Sequence, residues 1–311
     1  LAGEVFPPRR LYRGGSDVED LLFELQLVMP QVILGVINGA FYALLSLGLA
    51  VIFGMLNVIN FAHGAQFTLG AFVAWMMLAY LGIGYWPALL LAPLIVGALG
   101  VVMERTMIAR LYKLDHLYGL LLTFGCALVI EGLLRNSFGS SGQRYAPPPE
   151  FKTFDLELGD FFLPGYRVWV LIAASLVCLA TWLVIEKTKI GSYLRAATER
   201  PQLVQAFGIN VPRMMTLTYG AGVALAAFAG VLAAPIYSVS PAMGANFIIT
   251  VFAVVVIGGM GSIMGSIVTG FMLGLIQGIT EVVYPEASQT VVFVIMAVVL
   301  LTRPAGLFGR A

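Results

Sequence analysis

The chain has 311 residues, 60% of them hydrophobic and only 11% charged, less than half the charged share of an ordinary soluble domain. The formal net charge is +1 with no basic or acidic block, so nucleic-acid binding has no electrostatic basis. Both cysteines, Cys126 and Cys178, lie in apolar stretches, and the only histidines are His63 and His116; no disulfide, metal site or cofactor is expected.

In chain order, residues 1–24 read as a polar N-terminal tail without an apolar stretch of signal-peptide type. From Leu25 to Met103, and again from Met214 to Thr280, there is no Asp, Glu, Lys or Arg, and runs of that length need lipid to cover them. A helix crosses the bilayer core with about 20 apolar residues. Stretches of this kind fall at 31–55, 65–82, 86–104, 117–136, 167–186, 214–237, 262–282 and, more shortly, 288–302. A further segment, 246–258, between Pro241 and the Gly258-Gly259 pair, is short for a full crossing and suits a tilted or re-entrant helix. The expected fold is therefore all-α: one polytopic transmembrane domain over 25–311 with about eight to nine membrane helices.

Two loops stand out. The 137–166 loop, with Pro147-Pro148-Pro149 and alternating Phe154, Leu156 and Leu158, reads as an ordered external cap or short hairpin. The 187–213 loop holds Lys187, Lys189, Arg195, Arg200 and Arg213. Arg105, Arg110 and Lys113, and then Arg303 and Arg310, fall on the same side if 246–258 crosses. Positive charge in short loops marks the cytoplasm. Acids balance the arginines of the N-terminal tail (Asp17, Glu19, Asp20, Glu24) and of 137–166 (Glu150, Asp155, Glu157, Asp160). The expected topology has the N-terminus outside and the C-terminus inside.

Residues 39–56, GAFYALLSLGLAVIFGML, and 220–237, GAGVALAAFAGVLAAPIY, share Gly-Ala at the start and Ala-Leu four residues on, yet run in opposite directions in this topology. That is the pattern of an inverted repeat, which puts a pathway between the halves. Each is taken to precede a helix break, 57–66 and 258–262. The first carries Asn57, Asn60, His63 and Gln66 with no charge beside them. Irregular backbone survives at membrane depth only when buried in protein or lining a cavity, and polar side chains there are functional candidates. The second break, with Gly258, Gly259, Gly261 and Ser262, permits sharp turns and close helix packing. These eight residues are the candidate pathway and gate. Glu131 stands one turn from Arg135, as a structural pair, and Glu104-Arg105 ends a span as an interfacial anchor. Tyr42, Trp75, Trp86, Trp169 and Trp182 fit aromatic belts. Within 187–213, the spacing of Leu194, Ala197, Val204 and Phe207 gives a modest apolar stripe, suited to a short helix on the membrane surface that docks another protein. The GxxxxGK[ST] phosphate loop is absent, so ATP energy has to come from a partner.

The segments NFAHGAQFTLGAF (60–72), GSYLRAATERPQLVQAFGIN (191–210), FAGVLAA (228–234), VVVIGGMGSIMGSIVTG (254–270) and RPAGLFG (303–309) together resemble the permeases of branched-chain amino acid ABC transporters. Glu104-Arg105 and TFGCALVIEGLLR (123–135) fit as well, and the resemblance runs over about 30–309. It implies an importer of the bacterial inner membrane with two related permease subunits, two cytoplasmic ATP-binding subunits and a periplasmic solute-binding protein. It further implies that Gly191, Arg195, Ala196, Ala206, Gly208 and Ile209 belong to the loop that couples to an ATPase. The general importer loop pattern, EAA with Gly three residues later, is not met, since Ala196-Ala197 is followed by Thr198-Glu199-Arg200-Pro201. The rival reading is a secondary transporter, which also uses inverted repeats and broken helices but usually places a carboxylate at mid-membrane. Here Glu131 and Glu281 stand toward span ends. An enzyme would need a nucleophile–base pair or metal ligands, which the two histidines do not supply.

Overall fold

The structure, a computed structural model, describes residues 17–56, 58–112, 114–152, 156–158 and 161–309. Sequence expectations placed on residues 1–16, Asn57, Lys113, Phe154, Asp155, Asp160 and Arg310 lie outside these residues. Apolar runs without charge become helices because, in lipid, a helix is the one open-chain form that satisfies its own backbone. In chain order they are α1 (Asp17–Leu56), α2 (Ala62–Leu81), α3 (Tyr85–Thr106), α4 (His116–Phe138), α5 (Gly165–Lys187), α6 (Lys189–Glu199), α7 (Pro201–Ala206), α8 (Val211–Ala233), α9 (Met243–Gly258), α10 (Ile263–Val283) and α11 (Val291–Thr302).

Among the described residues, seven helices are long and apolar enough to cross a membrane: α1 from Val28, α2, α3, α4, α5, α8 and α10. α9 and α11 are apolar but shorter, with 16 and 12 residues. The 246–258 segment is thus a short helix as expected. The 288–302 stretch gives a shorter one than its hydropathy implied, because a 3-10 turn at Pro285–Ala287 precedes it and helix resumes only at Val291.

Directions follow from named contacts. Met55, at the end of α1, meets Thr198 of α6, and the end of α3 lies beside the start of α8 across a shared cavity (Glu104, Arg105, Asn210, Arg213). Tyr85, at the start of α3, meets Tyr166 at the start of α5, whose hydroxyl donates to the Leu232 carbonyl at the end of α8. α1, α3 and α5 therefore run toward the face that carries α6 and α7, and α8 runs away from it. α10 is antiparallel to α1: Gly35 faces Gly274 and Gly278, Gly39 faces Gly270, and Gly54 faces Gly261. α9 and α11 end together, since Leu307 and Phe308, just past α11, donate backbone N–H groups to the Ile257 and Gly258 carbonyls at 2.8 and 3.1 Å.

α8–α11 thus repeat the path of α1–α4 with every direction reversed. The packing repeats too, for α8 lies on α3 (Gly97 against Gly220 and Ala224, Gly100 against Val223) as α1 lies on α10. The halves meet where α2 and α9 begin, with Gly64 against Gly244. One expectation is corrected here. The counterpart of the break after α1 is the stretch 234–242 between α8 and α9, whereas 259–262 matches the turn at 82–84. Glycines made 258–262 conspicuous in the sequence, while the true counterpart is broken by Pro235 and Pro241.

α1 is the central post, with 83% of its apolar window buried, while α4 and α5 are peripheral at 17% and 22%. The opposite face from α6 carries the 139–164 loop. It folds as a 3-10 turn, Pro149–Lys152, and an antiparallel hairpin, Leu156–Leu158 with Phe161–Leu163. A bridge between Gln143 and Val239 ties it to the 234–242 stretch, and Phe151 packs with Trp86, Tyr166 and Trp169.

Candidate pathway and coupling sites

The first break begins where α1 ends and α2 starts beside its middle. His63 lies against Leu45 and Gly48 rather than against the end of α1. Gly48 makes the room: a Cβ there would stand 3.0 Å from the imidazole Cε1. His63 Nε2 is 3.0 Å from the Leu45 carbonyl oxygen, so it is the ring donor and Nδ1 the acceptor. Asn60 Nδ2 donates to Gln66 Oε1 at 3.1 Å, and Gln66 Nε2 donates to the Tyr219 hydroxyl at 3.1 Å. Thr123 of α4 holds the irregular backbone, accepting from Phe61 N–H and donating to the Ile59 carbonyl, each at 3.1 Å. Asn60, His63 and Gln66 are all buried at 2% exposure or less. The structure therefore brings these three together as an internal polar knot between α1, α2 and α8. Asn57 is not described. Two buried acceptors, Asn60 Oδ1 and His63 Nδ1, have no partner.

The second break is a packed joint. Gly259 and Gly261 have positive φ, +100° and +87°, and a Cβ on Gly259 would stand 2.5 Å from the Gly309 nitrogen. Ser262 caps α10, its Oγ accepting from Gly265 N–H at 3.1 Å. The RPAGLFG segment supplies the N–H groups that the end of α9 lacks, a partner needed at any buried helix terminus. Gly258, Gly259, Gly261 and Ser262 thus sit together, but apart from Asn60 and His63.

The segment after α5 folds back on it. Arg195 Nη1 donates to the Ile185 carbonyl at 3.2 Å and to Glu186 Oε2 at 3.1 Å. Gly191 lies against the Ile185 carbonyl, where no side chain fits. Leu194, Ala197 and Val204 are buried, and Ala197 and Val204 cluster with Val211 and the partly buried Ile209. α7 ends in a Schellman motif: Ile209 N–H reaches the Val204 carbonyl at 3.4 Å, Gly208 N–H reaches Gln205 at 2.9 Å, and Gly208 has φ +83°. Ala196, Ala206 and Gly208 are exposed. Phe207 does not continue the buried stripe. It is 79% exposed, and Leu203 beside it is 52% exposed. Sequence reasoning missed this outward apolar pair, although two large apolar residues four apart, off the Ala197–Val204 stripe, were the signal. Tyr219, Thr123 and Gly48 were missed for another reason: they reach the knot across long sequence separations and carry no local mark.

Two cavities open near this face. One, of about 810 Å³, is an apolar groove between α5, α6 and α8. The other, about 430 Å³, lies between the end of α3, the turn at 108–112 and the start of α8. Glu104 lines it, buried at 2% exposure, with Oε1 accepting from the Tyr112 hydroxyl at 2.7 Å. Burial, and then the bond to Glu104, push the Tyr112 phenol above its ordinary range. Elsewhere, Glu131 and Arg135 pair at 2.6 Å, one turn apart on α4, with Arg135 58% exposed, so the pair adds little stability.

Inverted halves built from close-packed small residues, two helices, α2 and α9, that start within the bundle, and a short amphipathic element on one face define a polytopic membrane permease. The chain belongs to the family of the branched-chain amino acid transport system / permease component, whose family model matches residues 32–300. It is 28% identical to the high-affinity branched-chain amino acid transport system permease protein BraD of Pseudomonas aeruginosa, over 92% of this chain and 97% of that one. It is 30% identical to the corresponding permease protein LivH of Escherichia coli K12, over 94% and 97%, and 25% identical to LivM of the same organism, over 86% and 67%. No solved structure matches the chain.

Proposed function

We propose that this chain is a permease subunit of an ATP-driven importer in the inner membrane, carrying a small polar solute of the branched-chain amino acid type. It forms the translocation path with a second, related permease. Two cytoplasmic ATP-binding subunits supply the energy, and a periplasmic solute-binding protein delivers the solute at the hairpin face. The observation that carries this reading is the α6–α7 element, which is anchored to α5 and α8 on one side and bears Leu203 and Phe207 outward on the other. A permease without a phosphate loop needs such a surface to receive force. Gly191, Arg195 and Ile209 hold the element in place, while Ala196, Ala206 and Gly208 belong to its outer surface.

In the same reading, the breaks at 57–66 and 258–262 are the joints that move. Unpartnered acceptors in a dry interior cost about 1–3 kcal/mol each. Asn60 Oδ1 and His63 Nδ1 are placed to accept from a passing ammonium when α2 parts from α8. The centres of the spans offer no opposite charge to trap it, since Glu104, Glu131 and Glu281 stand toward helix ends, so passage stays weak and depends on delivery. The test is uptake by the reconstituted transporter, co-expressed with its ATP-binding, permease and solute-binding partners. Leucine uptake should require both ATP and the binding protein, and Arg195→Glu should lower it by about tenfold while leaving membrane insertion intact. Uptake driven by an ion gradient without ATP would establish the secondary-carrier reading instead.

A further inference from the structure

The 430 Å³ cavity beside Glu104 is lined by side chains of both signs that make no ion pair among the described residues. Glu104 is almost fully buried, its Oε1 is taken by Tyr112, and its Oε2 has no hydrogen-bond partner. Arg105 and Arg213 line the same cavity. Among the described residues the ion pairs are Glu131–Arg135 and Glu186–Arg195, so neither arginine nor Glu104 is paired. A buried carboxylate oxygen without a partner is costly, and burying a charge is tolerated where something else neutralises it. Ala109, Pro212 and Met215 add apolar wall, beside the polar Tyr112, Asn210 and Thr216. The volume falls in the range of small-ligand sites.

A ligand that satisfies all of this carries a cation and an anion a few ångströms apart, together with a small apolar body. We propose that this cavity, on the α6–α7 face, binds a free α-amino acid, with its ammonium on Glu104 and its carboxylate on Arg105 and Arg213. The choice of an amino acid rests on the transport reading above; the demand for a zwitterion rests on the cavity alone. The site is distinct from the polar knot, because none of Asn60, His63 or Gln66 lines it. It joins the end of α3 to the start of α8, immediately after the α6–α7 element. An occupant would therefore clamp the docking element's root, and solute accumulating on that side would slow further import.

The test uses the full chain in lipid nanodiscs and tritiated leucine, read by scintillation proximity. Binding should be displaced by unlabelled leucine but not by N-acetyl-leucine or leucinamide, each of which lacks one charge. Glu104→Gln and Arg213→Gln should each weaken it by roughly tenfold or more, as expected on losing a charge-assisted hydrogen bond, while Arg303→Gln should bind normally. Arg213 is exposed, so its variant decides the matter if Glu104→Gln fails to fold. No binding, binding unchanged in the Arg213 variant, or equal displacement by the single-charge analogues overturns the site. ATP-driven uptake is measured in parallel on the assembled transporter. Uptake without binding in the cavity removes this site and leaves the permease reading standing, and binding without uptake does the reverse.

Discussion

Gly64 and Gly244 are each other's neighbours: a Cβ on Gly64 would stand 2.7 Å from the Gly244 carbonyl oxygen. Gly244 N–H in turn donates to Thr68 Oγ1 at 2.8 Å. Inside lipid the hydrophobic effect does not press helices together, so close backbone approach and polar contacts carry the association. Gly39 meets the α10 backbone in the same way, with a Cβ there 3.0 Å from the Phe271 Cα. Gly39→Leu should destabilise the folded chain by about 1–3 kcal/mol or more, the usual cost of overpacking, measured as a lower midpoint of thermal unfolding in detergent. An unchanged midpoint would show that α1 and α10 can separate freely. The polar knot gives a second residue-scale test. Tyr219→Phe takes away the acceptor of Gln66 Nε2 and leaves a buried donor, at about 1–3 kcal/mol. Gln66→Leu with Tyr219→Phe removes that orphaned donor but strips the buried Asn60 Nδ2 of its acceptor, so the triple variant that adds Asn60→Leu should recover part of the loss. A triple variant no more stable than Tyr219→Phe alone would mean that the knot contributes through packing alone.

At the scale of elements, the C-terminal RPAGLFG segment closes the end of α9. It does so through the Ile257 and Gly258 carbonyls and through Gly306 and Gly309 packed on Gly259. Deleting 304–311 should leave α9 frayed and shorten the lifetime of the purified chain, seen as faster aggregation at fixed temperature. Deletion without effect would make the segment a passive tail. The α6–α7 element has two faces, and they separate experimentally. Phe207→Asp changes only the outer face. It should abolish co-purification with the ATP-binding subunits while leaving the thermal midpoint of the isolated chain alone. Loss of both together would assign Phe207 to the fold instead.

At the scale of the molecule, the reversal of direction between α1–α4 and α8–α11 puts the start of α1 and the end of α11 on opposite faces. Absolute orientation then turns on charge. Lys187, Lys189, Arg195, Arg200 and Arg213 all lie toward the α6–α7 face, which the positive-inside rule makes the proposed cytoplasmic side. A cysteine at the exposed Ser192 should react with an impermeant maleimide only after the membrane is opened, and one at the exposed Ser140 should react on intact spheroplasts. The opposite pattern would invert the molecule, and with it the assignment of the docking face.

Charge-free runs determined by themselves that this is an all-helical membrane protein, because no soluble core accommodates them. The spacing of Leu194, Ala197 and Val204 marked a short amphipathic element between α5 and α8, and the Gly-Ala/Ala-Leu match marked the inverted halves. Both are local signals, written in neighbouring residues. Tertiary structure decided the rest. It alone pairs the 57–61 break with 234–242, because two prolines break a chain as well as a glycine run does and look nothing like it. It alone turns Phe207 outward, since helix periodicity gives a stripe but not the neighbour that covers it. It alone sets Glu104 and Arg213 on one cavity, more than a hundred residues apart in the chain, because the end of α3 lies beside the start of α8.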